Sequence, residues 1–161
     1  SVLVEAAPLA FRPLIHDRPE TPLQAKFSLP FCVAAGLAAG MVRIDTFSDA
    51  KLASPEIRAI CEKLSLAVYE EQRDSAEFAT RLTVEVEDGE RFRLAVHLAR
   101  GKPGLRLSEE ELAAKFRDCT RLLLDADAAD RLHARLGGID GKTSVVDLAH
   151  SLSRAGLKEA A

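Results

Sequence analysis

Lys26, Ser28 and Pro30 are the residues of this 161-residue chain whose types and spacing suggest chemistry. Proline has no N–H to donate, and its ring clashes with the carbonyl four residues back, so a helix does not run unbroken through Lys26 and Pro30. A new helix therefore starts at Pro30, with Ser28 as its N-cap and the proline in the first turn. That start gathers free N–H groups, a serine hydroxyl and a lysine ammonium near one point. Helix N-termini favour carboxylates and phosphates, and a lysine adds a full charge, so the spacing suggests an anion site. The same residues admit a plainer reading, a capping serine beside a solvated lysine.

Other chemistries lack a pattern. Cys32, Cys61 and Cys119 are odd in number, far apart and set in apolar helical stretches, which suits reduced, buried thiols of a cytoplasmic protein. His16, His97, His133 and His150 show no ligand spacing, so no metal is expected. The chain contains no Gly-rich phosphate loop, no nucleophile elbow and no carboxylate pair with a forced geometry. A composition 47% hydrophobic and 29% charged is that of a soluble globule. A net charge of -3 and a pI near 5.8 offer no basic face to nucleic acid. The apolar run from Leu29 to Val42 is shorter than the roughly 20 residues a membrane span requires. The chain opens at Ser1 without a methionine, straight into Val-Leu-Val, as a segment of something longer would.

The elements that must position Lys26 and Ser28 follow from periodicity. Val2 to Ile15 is broken by Pro8 and Pro13 and reads as a short strand followed by an extended edge segment. Leu29 to Val42 reads as the buried central helix, with Gly36 and Gly40 allowing close backbone approach. A short helix is expected within Asp45 to Leu52. Ser54-Pro55-Glu56 then starts another, whose apolar face is Ile57, Ile60, Cys61 and Leu64. Leu66 to Tyr69 reads as a strand, and Glu70 to Ala79 as a polar connection.

Thr80 to Leu98 is a hairpin. A two-residue turn at Asp88-Gly89 would set Val86 against Arg91 and mix the faces. A three-residue loop of Glu87, Asp88 and Gly89 instead sets Val84 against Phe92, Leu82 against Leu94 and Glu85 against Arg91, leaving one core face and one face of solvated ion pairs. Arg100 to Arg106 reads as a basic connector. Ser108 with Glu111 forms a capping box, Asp125 starts a further helix that Gly137-Gly138 stops, and Thr143 or Ser144 caps a last one. The order predicts a single α+β domain over 1–161, a small mainly antiparallel sheet with helices packed on one face.

Arg-Pro-Glu-Thr-Pro-Leu-Gln-Ala-Lys-Phe-Ser-Leu-Pro-Phe at 18 to 31 resembles the motif segment of the MmgE/PrpD family. The Asp88-Gly89 hairpin, the Gly/Pro loop and Leu-Ser-Glu-Glu-Glu-Leu-Ala-Ala-Lys-Phe-Arg-Asp at 107 to 118 follow in that family's order. The resemblance implies the lid-like C-terminal domain of a family that includes 2-methylcitrate dehydratase, cis-aconitate decarboxylase and an iminodisuccinate epimerase. It implies a cofactor-free site, closed by a large helical N-terminal domain absent from these 161 residues, in a cytoplasmic and dimeric lyase. The substrate would be a small hydroxy-polycarboxylate losing a proton next to a carboxylate. Dehydration is the first expectation, with epimerisation or decarboxylation behind it. Carried over, Lys26 and Ser28 would hold a substrate carboxylate. Tyr69 would be a catalytic proton donor or hydroxyl ligand, although the decarboxylase's tyrosine aligns one position earlier, at Val68. Phe27 stands where the dehydratase and the decarboxylase carry a histidine. The competing expectation is a non-catalytic module for dimerisation or ligand binding.

Overall fold

Val2, Val4 and Ala6 alternate with Leu3 and Glu5 in the chain, and the first three are buried together on one face of strand β1 (Val2–Ala6). The structure, a computed structural model, describes residues 1–69, 79–140 and 143–154. The polar connection expected at Glu70 to Ala79 lies, except for Ala79, outside the described residues. Strand β1 is interior to a four-stranded sheet of order β2-β1-β3-β4, with β2 Leu64–Val68, β3 Thr80–Glu85 and β4 Arg91–Val96. It runs parallel to β2 and antiparallel to β3, and β3 runs antiparallel to β4. The fold is α+β as expected, but the sheet is mixed. A parallel pair needs a crossover, and the helices between β1 and β2 supply it. Pro8 opens a 3-10 turn (Pro8–Phe11) where an extended edge segment was expected.

The crossover contains α1 (Pro22–Lys26), α2 (Leu29–Ala39), α3 (Asp49–Leu52) and α4 (Pro55–Glu62). Ala25, Phe31, Ala34, Ala35 and Ile57 form its buried core. Phe47 packs on it, with its ring 6.3 Å from that of Phe31. Helix α2 was expected to be buried through Val42. It ends at Ala39 and buries one face only, leaving Leu37 40% exposed. Its glycines act otherwise than expected. A Cβ on Gly36 would meet only the Val42 side chain, at 3.7 Å, and Gly40 adopts φ 76° to end the helix in the left-handed conformation.

The hairpin has the expected register, Val84 opposite Phe92, Leu82 opposite Leu94 and Glu85 opposite Arg91, with Gly89 at φ 86°. Its apolar face is not core throughout. Burial is complete on β1, partial on β3 and lost on β4, where Phe92 is 53% and Leu94 62% exposed.

Packing gathers the chain into two compact units, Ser1–Arg106 and the residues from Leu107 onward. The second unit holds α5 (Glu109–Thr120), α6 (Ala126–Gly137) and α7 (Val145–Arg154). Ser108 and Glu111 make both bonds of the capping box, at 3.2 and 2.8 Å. Asp125 caps α6 through the Ala128 N–H at 2.7 Å. Ser144 caps α7 by accepting from the Asp147 N–H, while Thr143 bonds back to Asp140. Leu124, Ala128, Ala129 and Leu132 form this unit's core, with Phe116 and Leu136 against it.

Candidate functional site

Two short-range bonds shape the break between α1 and α2. Thr21 caps α1 by accepting the Gln24 N–H at 3.2 Å, and Lys26 is the last residue of that helix. Phe27 leaves the helical conformation at φ -111°, and Ser28 is extended at φ -118°. Ser28 Oγ then accepts the Phe31 N–H at 3.2 Å, the N-cap expected from the sequence. Pro30 has no N–H, the Cys32 N–H goes to the Ser28 carbonyl at 3.1 Å, and Leu29 is left as the remaining amide of the turn. Ser28 is 0% exposed. Its oxygen serves the helix, and its hydroxyl hydrogen is what it has left to donate. Lys26 is exposed, with Nζ 5.9 Å from the centre of the Phe47 ring. Ser28 therefore acts as scaffold, and Lys26 presents the charge.

Tyr69 lies elsewhere. Strand parity sends Leu64, Leu66 and Val68 to the face shared with Val2, Val4 and Ala6. Leu64 and Leu66 line a cleft there together with Pro30 and Phe31 of α2. Tyr69, one residue later, turns to the opposite face, where Glu5 and Arg81 are register partners. Its hydroxyl accepts from Arg81 Nη2 at 3.0 Å, its ring lies 4.6 Å below that guanidinium, and Glu5 holds Arg81 at 3.5 Å. Lys26 and Ser28 are thus brought together, and Tyr69 sits across the sheet from the helix that Ser28 caps. Val68, at the position aligned with the decarboxylase's tyrosine, is half exposed on the α2 face.

The cleft has a volume of about 690 Å³. Lys26, Ser28 and Tyr69 are not in its lining. Arg18, Arg58 and Glu62 are, and sequence reasoning missed them. Arg58, Cys61 and Glu62 stand at i, i+3 and i+4, a signal that these three share one face of α4. Arg81 was missed because its partner depends on the β1 and β3 pairing.

Cys32 and Cys61 are not poised as nucleophiles. Burial pushes Cys32 above the ordinary thiol range, and burial followed by the Glu62 carboxylate does the same for Cys61. Cys119, expected to be buried, is exposed. Among the described residues no group of three or more His, Cys, Asp or Glu could hold a metal ion, and no helix is long and apolar enough to cross a membrane.

A mixed sheet led by a parallel β1 and β2 pair, with a lysine-ended helix breaking into a serine-capped one, defines an α+β domain with an exposed ammonium at its crossover. The profile of the MmgE/PrpD C-terminal domain matches residues 1–136, and the chain belongs to that family. No curated protein matches it.

Proposed function

We propose that this domain is the carboxylate-holding part of a cofactor-independent lyase acting on a small hydroxy-polycarboxylate, with Lys26 as ligand of a substrate carboxylate. One observation carries the reading: inside the segment matched to the family, an exposed ammonium stands two residues before a fully buried N-cap. Lys26 ends α1 just ahead of the capped start of α2, and its ammonium supplies the charge that a carboxylate needs. Ser28, whose side chain is fully buried, supports that contact through the cap it gives α2.

Dehydration is the preferred reaction, with epimerisation or decarboxylation of a related acid as alternatives: the first two remove a proton beside a held carboxylate, and decarboxylation delivers one to the carbon that loses CO2. General acid–base chemistry needs a group within hydrogen-bond reach of that proton. From Lys26 to Pro30 the chain has neither imidazole nor carboxylate, so the base comes from outside this segment. The helical N-terminal domain of the parent protein is its proposed source.

A second reading makes Tyr69 the proton donor for a substrate held on the Arg81 face of the sheet rather than at Lys26, and its bond with Arg81 favours it. A guanidinium only donates, so the Tyr69 oxygen is the acceptor and its proton is left to give.

Calorimetric titration of the chain with citrate tests the binding role. Lys26→Ala weakens binding about tenfold, or about 1.4 kcal/mol. Equal affinity in both proteins removes Lys26 from the site. Citrate binding by a full-length parent that turns over no hydroxy-polycarboxylate favours the ligand-binding module instead.

A further inference from the structure

We propose that the cleft between the Asp17–Glu20 segment and helix α4 is a second ligand site, which takes a dipeptide-sized zwitterion with an apolar body. Its volume of about 690 Å³ lies inside the range of about 300–1,000 Å³ typical of small-molecule sites. Phe31 and Ile57, both nearly fully buried, join Leu52, Leu64 and Leu66 in an apolar lining. Around it stand two guanidiniums, Arg18 and Arg58, and three carboxylates, Asp17, Glu20 and Glu62. Among the described residues none of these five enters an ion pair, whereas Arg81 pairs with Glu5, Arg91 with Glu85, Arg117 with Asp130 and Arg121 with Asp118.

The mixture of signs selects the ligand. A polycarboxylate would meet three like charges, and a simple amine would leave both arginines unanswered. A molecule with one carboxylate and one ammonium satisfies both groups, and an aliphatic body between them covers the apolar lining. Arg58 is the better-placed carboxylate ligand. Its Nε donates to the Leu52 carbonyl at 3.2 Å, which anchors the side chain and leaves the terminal Nη atoms to face a ligand. Glu62 stands one helical turn on, with Cβ atoms about 6 Å apart at that spacing. An extended dipeptide spans about 7 Å, so a single helix face can receive both of its ends.

The site is independent of the Lys26 reading, because Lys26 does not line the cleft. The test is an NMR titration of the full chain with leucyl-leucine, its N-acetylated form, its C-terminal amide and citrate. Leucyl-leucine is expected to shift the Arg58, Cys61 and Glu62 amides saturably. Either blocked form, or either exposed-residue variant Arg18→Gln or Arg58→Gln, should bind about tenfold more weakly, and Lys26→Ala should bind unchanged. Absence of saturation, equal binding of free and blocked dipeptides, or citrate shifting the same amides with equal strength overturns the proposal.

Discussion

Tyr69 Oη accepts a hydrogen bond from Arg81 Nη2 at 3.0 Å, and the same guanidinium lies 4.6 Å from the centre of the Tyr69 ring. Tyr69 is only 8% exposed, so its hydroxyl depends on that donor. Arg81→Met should cost about 1–3 kcal/mol, since a buried hydroxyl loses its partner, and Tyr69→Phe about 1 kcal/mol. The double variant should cost less than the two single losses added. The chain has one tyrosine and no tryptophan, so tyrosine emission during urea unfolding reports this pair alone. Strict additivity would show that the two residues are not coupled.

Ser28 and Lys26 should separate by experiment. Ser28→Ala removes an N-cap with no exposed surface and should cost about 1 kcal/mol of stability, up to about 2. Lys26→Ala should leave the unfolding midpoint nearly unchanged, because an exposed cation over a ring contributes about 0.5–1 kcal/mol at most. In citrate titration the order reverses, with Lys26→Ala the larger loss. A larger affinity loss for Ser28→Ala would move the carboxylate contact to the hydroxyl.

The two glycines of α2 should respond with opposite signs. Gly40→Ala forces a side chain into φ 76° and should destabilise by about 1 kcal/mol. Gly36→Ala meets only ordinary contact with Val42 at 3.7 Å, inside a helix, and should stabilise by up to about 1 kcal/mol. Thermal unfolding of both variants checks the pair. A destabilised Gly36→Ala would mean that α2 has a backbone neighbour there.

Alkaline pH should weaken the fold. Burial raises Cys32 and Cys61 above the ordinary thiol value, so the folded chain holds those protons more tightly than the unfolded one. Their contribution is present at neutral pH and is lost as pH rises through the raised values. Urea midpoints at neutral and alkaline pH should show this fall, and alkylation followed by mass spectrometry should find Cys119 modified first. Cys32 reacting as fast as Cys119 would contradict its burial.

Phe27, half exposed at the end of α1, can neither transfer a proton nor donate a hydrogen bond. A full-length parent carrying it should therefore be a poor 2-methylcitrate dehydratase. An absorbance assay for alkene formation from 2-methylcitrate decides: efficient turnover with Phe27 in place refutes the expectation, and Phe27→His should raise a low rate.

Much of the local architecture was legible in the sequence. Ser28, Ser108 and Asp125 each satisfy amides within three residues of themselves, so their caps depend on neighbours in the chain. The hairpin register follows from parity across a three-residue loop, which is equally local. The family segment at 18 to 31 also lies within one stretch.

Tertiary structure alone decided the rest, because those features join residues far apart in sequence. The parallel partnership of β1 with β2 depends on the crossover folding back, and periodicity within each strand carries no sign of direction. That pairing, with β3 on the other side, turns Tyr69 toward Arg81 and away from α2; a shift of one residue would have reversed it. Lys26 reaches Phe47, and Arg18 shares a cleft with Arg58 and Leu66, only once α1 to α4 pack on the sheet. Side-chain periodicity tells which face of an element is apolar. What that face meets is settled by burial against residues far along the chain, and on β4, where Phe92 and Leu94 stay exposed, the described residues of the first unit provide no such partner.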